Sequence, residues 1–272
     1  MKYSSSPITS IGILCLTATT AWASNPGATC DVSTAPDAST PRIYVIGDST
    51  ASNYDASLWP RMGWAQTLQD FFRPGCAVVE NRALSGRSSK SFRDEGAWAP
   101  IEAALKPGDF VLIQFGHNDE KSNDPTRYTE PFSTYQAQLS QYVAETFAKG
   151  AQPILLTSIV RNRWSGTDMP ATHGDYPRAV RLLGSFLEVP VIDMTTISRD
   201  YFELVGETTV SNEMFLNLQP GVFPNYPQGR SDNTHFQELG ARRLAQLVLF
   251  HLTQQRSPLV ELLPWRIGYP AF

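Results

Sequence analysis

Apolar and polar positions form alternating blocks along the chain, and these blocks predict strands and helices in turn. Five short runs are rich in β-branched and other apolar residues, as buried strands are: RIYVIG, CAVVEN, DFVLIQFG, QPILLTSIV and VPVIDM. Segments with helical spacing of apolar residues lie between and after them, at about 63–72, 97–105, 133–149, 175–188, 195–206 and 236–254.

The strand runs indicate how the sheet is covered. Three of the five are almost continuously apolar, which is typical of parallel strands that have helices on both faces. Regular alternation of strand and helix, without an internal repeat, predicts a doubly wound α/β domain with one core. In such a domain the ligand site lies at the carboxyl ends of the strands.

The first 23 residues have the pattern of a signal peptide. Lys2 supplies a positive charge, ITSIGILCLTATT is a moderately apolar stretch, and AWA, ending at Ala23, fits a small-x-small cleavage pattern. The apolar stretch is too short and too rich in Thr and Ser to span a bilayer stably. We therefore expect cleavage after Ala23, a secreted or periplasmic protein, and no membrane association after cleavage.

The remaining chain divides by composition. Residues 24–41 are poor in large apolar groups and are predicted to be an N-terminal lead-in, 42–255 the catalytic domain, and 256–272 a C-terminal tail. The formal net charge is −4 and no long run of one sign occurs, so a nucleic-acid partner is not expected.

The predicted export determines which of the three cysteines remain in the mature chain and what state they are expected to have. Cys15 leaves with the signal peptide, so Cys30 and Cys76 remain. Two cysteines in an oxidising compartment suggest one disulfide, and the alternative is two separate buried thiols.

Reactive side chains collect where the predicted strands end. The first strand is followed by Gly47-Asp48-Ser49, the second by RALSGRSSKSF, the third by FGHNDEKSND, and the last helix is preceded by SDNTHF. A serine hydroxyl needs an adjacent base to act as a nucleophile, and that base needs a third group to orient it. Asp232 and His235 are three residues apart, so one turn of chain can place the carboxylate against the imidazole and leave Nε2 facing Ser49.

Acyl transfer also needs donors that face the developing oxyanion. The candidates are the backbone N–H groups of Ser49 and Gly86 and the side-chain amide of Asn118. Asp48 is expected to hold the turn by local hydrogen bonds, and His117 and Asp119 to brace the loop around Asn118.

The blocks GDST, SGRSS, FGHND and DNTH resemble those of the SGNH (GDSL-type) hydrolases. The flanking phrases IYVIGDST, NRALSGRSSKSF, THGDYPRAV and DNTHF are most similar to the rhamnogalacturonan acetylesterase family of carbohydrate esterases. The resemblance implies a flavodoxin-like three-layer α/β/α sandwich with a five-stranded parallel sheet. It also implies deacetylation of plant cell-wall polysaccharide without a metal or other cofactor, with Ser49, Asp232 and His235 catalytic and with Ser49, Gly86 and Asn118 as the oxyanion hole.

The expected partner is an acetylated polysaccharide or oligosaccharide. Rhamnogalacturonan or another pectin is the first choice, and acetylxylan or another small-acyl ester is the alternative. His173 in THGDYP is a candidate substrate contact because the resemblance places its loop near the rim of the site. Arg87 is a candidate for binding galacturonate carboxylates, although solvated loop arginines are common.

Other functions use similar residues. Binuclear metallophosphoesterases carry a Gly-Asn-His-Asp/Glu block, but here Gly116-His117-Asn118-Asp119 has Asn and His exchanged. A two-carboxylate glycosidase would leave Ser49, Asn118 and His235 unexplained. A non-catalytic carbohydrate-binding module would tolerate loss of the triad, whereas every triad position is filled.

Overall fold

A computed structural model describes residues 35–73, 75–264 and 266–271. The predicted signal peptide, Cys15, Cys30 and most of the predicted lead-in lie outside these residues. Across the described ranges, no helix is both long enough and apolar enough to cross a membrane.

Five parallel strands form the central sheet. They are β1 (Arg42–Gly47), β3 (Val78–Asn81), β4 (Phe110–Gln114), β5 (Gln152–Leu156) and β6 (Val191–Ile192), and their order across the sheet is β3-β1-β4-β5-β6. The chain thus moves from β1 to one side and then returns to the other, which is the flavodoxin-like order. The point where this order reverses lies between β1 and β4.

The two faces of the sheet belong to two separate parts of the core. Ile43 and Val45 of β1 pack with the buried residues of one cluster, and Tyr44 and Ile46 pack with those of the other. Because successive strand residues point to opposite faces, a strand buried on both sides needs apolar residues at every position. The continuous run in β1 is explained by this, and the predicted three-layer α/β/α fold is confirmed.

Helices cover both faces. Their bounds are α1 (Ser89–Asp94), α2 (Ala99–Ala104), α3 (Gln136–Ala148), α4 (Tyr176–Leu187), α5 (Met194–Val205), α6 (Glu207–Thr209) and α7 (Glu238–Gln254). Buried residues of α1 to α4 pack on one face, and those of α5 and α7 pack on the other.

Several details differ from the sequence expectation. The segment predicted as a helix at about 63–72 is a 3₁₀-helix, Trp64–Phe71, and a π-helical turn, Pro131–Tyr135, precedes α3. An antiparallel ribbon of β2 (Arg61–Met62) and β7 (Phe236–Gln237) was not predicted. This ribbon matters because β7 follows His235 directly.

Cys76 is disulfide-bonded. Its predicted partner, Cys30, lies outside the described residues, so that pairing stays a prediction. The described part of the C-terminal tail packs on the domain, since Leu259 is fully buried and Tyr201 Oη donates to the Ala271 carbonyl at 3.2 Å.

Candidate active site

Ser49 lies at the tip of a tight turn that follows β1. A Cβ on Gly47 would lie 2.5 Å from the carbonyl oxygen of Gln114 in β4, so the strand can end this close to its neighbour only with glycine. The Asp48 carbonyl then accepts the N–H of Ser52 at 3.1 Å, which reverses the chain at once. The turn therefore places Ser49 at the carboxyl end of the sheet, beside the point where the strand order reverses.

The carboxylate of Asp48 holds this turn from below. It is fully buried, and its Oδ1 accepts the N–H and the hydroxyl of Thr50 at 2.9 and 2.7 Å. Its Oδ2 lies 3.3 Å from Nδ1 of His117. Burial raises the pKa of Asp48, but the charge and hydrogen bonding of His117 and the bonds from Thr50 lower it to about 2. Asp48 is thus an ionised turn-holding group, with both of its oxygens directed at other residues.

Ser49, His235 and Asp232 form one hydrogen-bonded line. His235 Nε2 lies 2.8 Å from Ser49 Oγ, and His235 Nδ1 lies 2.8 Å from Asp232 Oδ2. Because an ionised carboxylate only accepts, Nδ1 carries the hydrogen, and Nε2 is left to accept the serine hydroxyl proton. The structure thus brings together the three residues that the sequence predicted to act together.

Asp232 and His235 are joined by one tight turn, as their three-residue spacing predicts. Asp232 Oδ1 accepts the backbone N–H groups of Thr234 and His235 at 3.0 and 3.1 Å, which closes a turn, while Oδ2 faces the imidazole. Burial raises the pKa of Asp232, but its hydrogen bonds and the charge of His235 hold that pKa well below its usual range. The carboxylate is therefore ionised at neutral pH.

The loop that contains Gly86 lies beside the Ser49 turn. Leu84 N–H donates to the Gly47 carbonyl at 3.0 Å, which ties the two segments together. The Leu84 carbonyl accepts the Arg87 N–H, which closes a β-turn over residues 84–87. Gly86 occupies the third position of this turn with φ +82°. A Cβ at Gly86 would meet nothing within 4 Å, so the backbone angle rather than crowding explains the glycine.

Three donors are available at this edge of the sheet. Within the described part of the chain, the N–H groups of Ser49 and Gly86 have no acceptor. Asn118 Nδ2 donates to the Arg87 carbonyl at 3.0 Å, which holds the amide next to the Gly86 loop and leaves its second hydrogen free. These are the donors that the sequence predicted for an oxyanion hole.

His173 is buried among protein partners. Its side chain is fully buried, with Nδ1 3.0 Å from Glu120 Oε2 and Nε2 2.8 Å from the Ile159 carbonyl. Its ring packs edge-on against His117. Both ring nitrogens therefore have protein partners, and a direct substrate contact of His173 stays a prediction that this geometry does not favour.

Arg87 is half-exposed at the loop that it shares with Gly86. Its Nε pairs with Glu95 Oε2 at 2.8 Å, and its Nη1 donates to the Ser85 carbonyl at 3.0 Å. Its role in binding substrate stays a prediction.

Two site residues were missed from the sequence. Asn217 accepts the Asp232 N–H at 2.8 Å and thereby holds the turn that carries the carboxylate. Arg61, in β2, donates to Tyr54 Oη at 2.9 Å, and Tyr54 Oη donates to the Ser49 carbonyl at 2.7 Å. Neither lies in a recognisable motif, and both reach the site through contacts between segments distant in sequence.

Over the described ranges, no group of three or more His, Cys, Asp or Glu side chains is arranged to hold a metal ion.

Comparison with known proteins identifies one matching family model. The model of the GDSL-like Lipase/Acylhydrolase family matches residues 45–243. This range includes the end of β1 and all five residues of the predicted triad and oxyanion hole.

Individual relatives extend the match to most of the chain. Rhamnogalacturonan acetylesterase RhgT of Bacillus subtilis (strain 168) is 38% identical over 228 residues, covering 84% of this chain and 96% of the relative. The rhamnogalacturonan acetylesterase of Emericella nidulans is 27% identical over 233 residues, covering 79% of this chain and 85% of the relative. The crystal structure of Bacillus subtilis YxiM superposes with a TM-score of 0.67 at 26% identity, covering 80% of this chain and 57% of that one.

Proposed function

The chain belongs to the GDSL-like lipase/acylhydrolase family and is a carbohydrate acetylesterase, and we propose that it removes acetyl groups from rhamnogalacturonan through an acetyl-serine intermediate. The observation that carries the mechanism is the line from Asp232 through His235 to Ser49, with 2.8 Å between atoms at each step. Such a line activates a serine that would otherwise be a weak nucleophile.

In the first half of the reaction, Ser49 Oγ attacks the acetyl carbonyl carbon as its proton passes to His235 Nε2. The carbonyl oxygen becomes an oxyanion facing the N–H groups of Ser49 and Gly86 and the Asn118 amide, which stabilise it. His235 then gives its proton to the departing sugar oxygen. The products are the free sugar hydroxyl and acetyl-Ser49.

In the second half, water replaces the sugar. His235 accepts a proton from the water as the water oxygen attacks the acetyl carbonyl, and the oxyanion forms against the same donors. His235 returns that proton to Ser49 Oγ as acetate leaves. Asp232, with its lowered pKa, stays ionised throughout and stabilises the imidazolium that forms twice.

The surface near the triad supports a carbohydrate substrate. A cleft adjoins Asn217, the residue that holds the Asp232 turn, and its lining includes Trp59, Phe223, Asn212 and Gln219. Trp59 is 45% exposed and packs edge-on against Phe223. Aromatic faces with neighbouring amides suit a sugar ring, which has an apolar face and a polar edge. The names of RhgT and the Emericella nidulans enzyme support rhamnogalacturonan as the polymer.

Export is part of the proposal. The pattern of residues 1–23 and the disulfide at Cys76 both favour an oxidising compartment outside the cytoplasm. N-terminal sequencing of the protein released by cells should begin at Ser24, and an intact Met1 on the released protein would contradict this.

The experiment for the activity compares acetate release from acetylated rhamnogalacturonan, homogalacturonan and xylan, with p-nitrophenyl acetate as a general acetyl ester. Rhamnogalacturonan should give the highest kcat/KM. A higher kcat/KM on acetylated xylan would contradict the proposal and identify xylan as the preferred substrate. Ser49→Ala should reduce turnover of every ester by about 10³-fold or more.

The serine variant also tests the mechanism. Ser49→Ala should keep the melting temperature of the wild type, and its loss of activity then reflects chemistry alone. Wild-type protein quenched in acid during p-nitrophenyl acetate turnover should carry an acetyl group on the peptide that contains Ser49. Undiminished acetate release by Ser49→Ala would overturn the nucleophile assignment.

A further inference from the structure

Arg61 lies next to the active site although it is far from the triad residues in sequence. It is in β2, opposite Gln237 of β7 in the antiparallel ribbon, and Gln237 is two residues past His235. The ribbon therefore fixes the position of Arg61 relative to the segment that carries the catalytic imidazole.

The guanidinium reaches the nucleophile side of the site through Tyr54. Arg61 Nη2 donates to Tyr54 Oη at 2.9 Å, and the guanidinium carbon lies 4.3 Å from the centre of the Tyr54 ring. Tyr54 Oη in turn donates to the Ser49 carbonyl at 2.7 Å. Two hydrogen bonds thus separate the positive charge from the backbone of the nucleophile.

The charge of Arg61 has no counter-ion in the described part of the chain. No carboxylate lies within 4.0 Å of it, and its Nε is buried without an acceptor. Two other arginines near the site are neutralised differently, since Arg87 pairs with Glu95 and Arg161 pairs with Glu120. The buried Nε cannot reach a ligand from outside, but Nη1 is not among the buried atoms and has no hydrogen-bond acceptor among the described residues, so Nη1 and the second hydrogen of Nη2 can donate to an external oxyanion.

We propose that Arg61 binds the carboxylate of a uronate residue in the substrate and so selects acetyl esters carried by acidic sugars. This proposal rests on the proposed function, because rhamnogalacturonan contains galacturonate. Tyr54 positions the guanidinium beside the nucleophile, and Nη1 and Nη2 can donate two parallel N–H groups to a carboxylate. Arg61 would then determine specificity without taking part in proton transfer.

The test compares two substrates that differ only in charge: acetylated rhamnogalacturonan oligosaccharides and the same oligosaccharides after reduction of their carboxyl groups. Arg61→Gln should lower kcat/KM on the acidic substrate by about 10- to 100-fold, mainly through KM. Its loss on the reduced substrate and on p-nitrophenyl acetate, which reports only the support that Arg61 gives Tyr54, should be at least about tenfold smaller than its loss on the acidic substrate. Arg61→Lys keeps the charge but lacks the two parallel donors of the guanidinium. Its kcat/KM on the acidic substrate should lie between those of the wild type and Arg61→Gln.

A second measurement does not depend on the preferred polymer. Trigalacturonate should inhibit p-nitrophenyl acetate hydrolysis by the wild type, and Arg61→Gln should raise its inhibition constant about tenfold or more. Arg199→Gln, which removes an exposed arginine on α5 that pairs with Asp200, is the matched control and should leave all values unchanged.

The outcomes separate the two proposals. A wild type that releases no acetate from acetylated rhamnogalacturonan contradicts the proposed function, whatever trigalacturonate does. Failure of trigalacturonate to inhibit the wild type, or an equal loss on acidic, reduced and p-nitrophenyl esters in Arg61→Gln, overturns the role of Arg61. The equal loss would show that Arg61 acts only by supporting Tyr54.

Discussion

At the residue scale, Asp232 is the group whose two oxygens have different tasks. Oδ1 accepts two backbone N–H groups and shapes the turn, and Oδ2 accepts the imidazole Nδ1–H. Arg230 Nη2 also lies 3.4 Å from Oδ2, and every one of these partners is a donor, so the position requires a group that only accepts. An aspartate satisfies this requirement, and asparagine, with one accepting and one donating atom, does not.

Asp232→Asn should therefore fold and lose activity. If the amide oxygen keeps the backbone bonds, the amide nitrogen faces Nδ1 and favours the tautomer with hydrogen on Nε2, which cannot accept from Ser49. We expect kcat on p-nitrophenyl acetate to fall by about 10³- to 10⁴-fold. Thermal unfolding should show a melting temperature within a few degrees of the wild type. A variant that keeps more than a tenth of wild-type kcat would contradict the proposed role of Asp232.

The site residues differ in how far sequence could predict them. Ser49, Asp232 and His235 were predictable because their chemistry requires particular side chains at strand ends and at a short spacing. Arg61 and Asn217 were not, since their roles depend on which distant segment each side chain contacts. The surroundings of His173 were not predictable for the same reason, since the sequence does not show that Glu120 and a carbonyl lie against its two ring nitrogens.

At the element scale, the loops after β4 and β5 hold the loop that precedes β7. Glu120 Oε1 accepts from Arg161 Nη2 at 2.5 Å, and Arg161 Nη1 donates to Thr234 Oγ1 at 2.5 Å. Although burial raises the pKa of Glu120, the bonds and charges of His173 and Arg161 lower it below its ordinary value. Since Thr234 directly precedes His235, this chain of contacts braces the catalytic imidazole from outside the triad.

Glu120→Gln should loosen that brace. Glutamine can still accept from Arg161 through its amide oxygen, but it lacks the negative charge, so the ion pair that holds Arg161 against Thr234 is lost. We expect kcat on p-nitrophenyl acetate to fall about tenfold and the free energy of unfolding to fall by about 1–2 kcal/mol. Urea unfolding and steady-state kinetics measure the two effects.

Two companion variants separate bracing from general destabilisation. Thr234→Val removes only the Arg161 contact, and it should reproduce most of the loss in kcat with a smaller loss of stability. Glu130→Gln, in an exposed position, is the control for loss of one negative charge. If Glu120→Gln were destabilised but fully active, the contacts would serve the fold and not the imidazole.

Sequence periodicity predicted the five strands and most helices because burial on both faces leaves a strong apolar pattern. It could not distinguish the 3₁₀-helix Trp64–Phe71 from an α-helix, since the buried positions of Trp64, Ala65, Thr67 and Leu68 suit either one. The β2–β7 ribbon has two residues in each strand, too few to show any alternation. Short elements of this kind depend on tertiary contacts, and here one of them positions Arg61.

At the scale of the whole molecule, the buried pair Asp48–His117 connects the active-site turn to stability. Burial lowers the pKa of His117 from 6.5 to about 4, because the nearby Asp48 carboxylate only partly offsets the loss of water and His173 and Arg161 oppose a second positive charge. The folded protein therefore keeps His117 neutral at a pH where the unfolded chain would protonate it.

The sign of the resulting pH effect follows from which state binds the proton. Between pH 6.5 and about 4 the unfolded chain binds a proton at His117 that the folded chain does not, so acidification in this range favours unfolding. The contribution of His117 is fully present above pH 6.5 and is lost as the pH falls toward 4. For this residue alone, the free energy of unfolding should decrease by about 2 kcal/mol from pH 7 to pH 5.

Urea unfolding at pH 7 and pH 5 tests this with His117→Asn, whose side chain is polar but does not titrate. The variant should be less stable than the wild type at pH 7 and should lose about 2 kcal/mol less on acidification, so the two stabilities converge at pH 5. His251→Gln on α7 is the comparison, because that histidine is half-buried away from Asp48 and its removal should leave most of the wild-type slope. Equal slopes in His117→Asn and wild type would mean that His117 binds its proton as readily in the folded protein as in the unfolded chain, and Asp48 and His117 would then form an ion pair with no net charge next to the Ser49 turn.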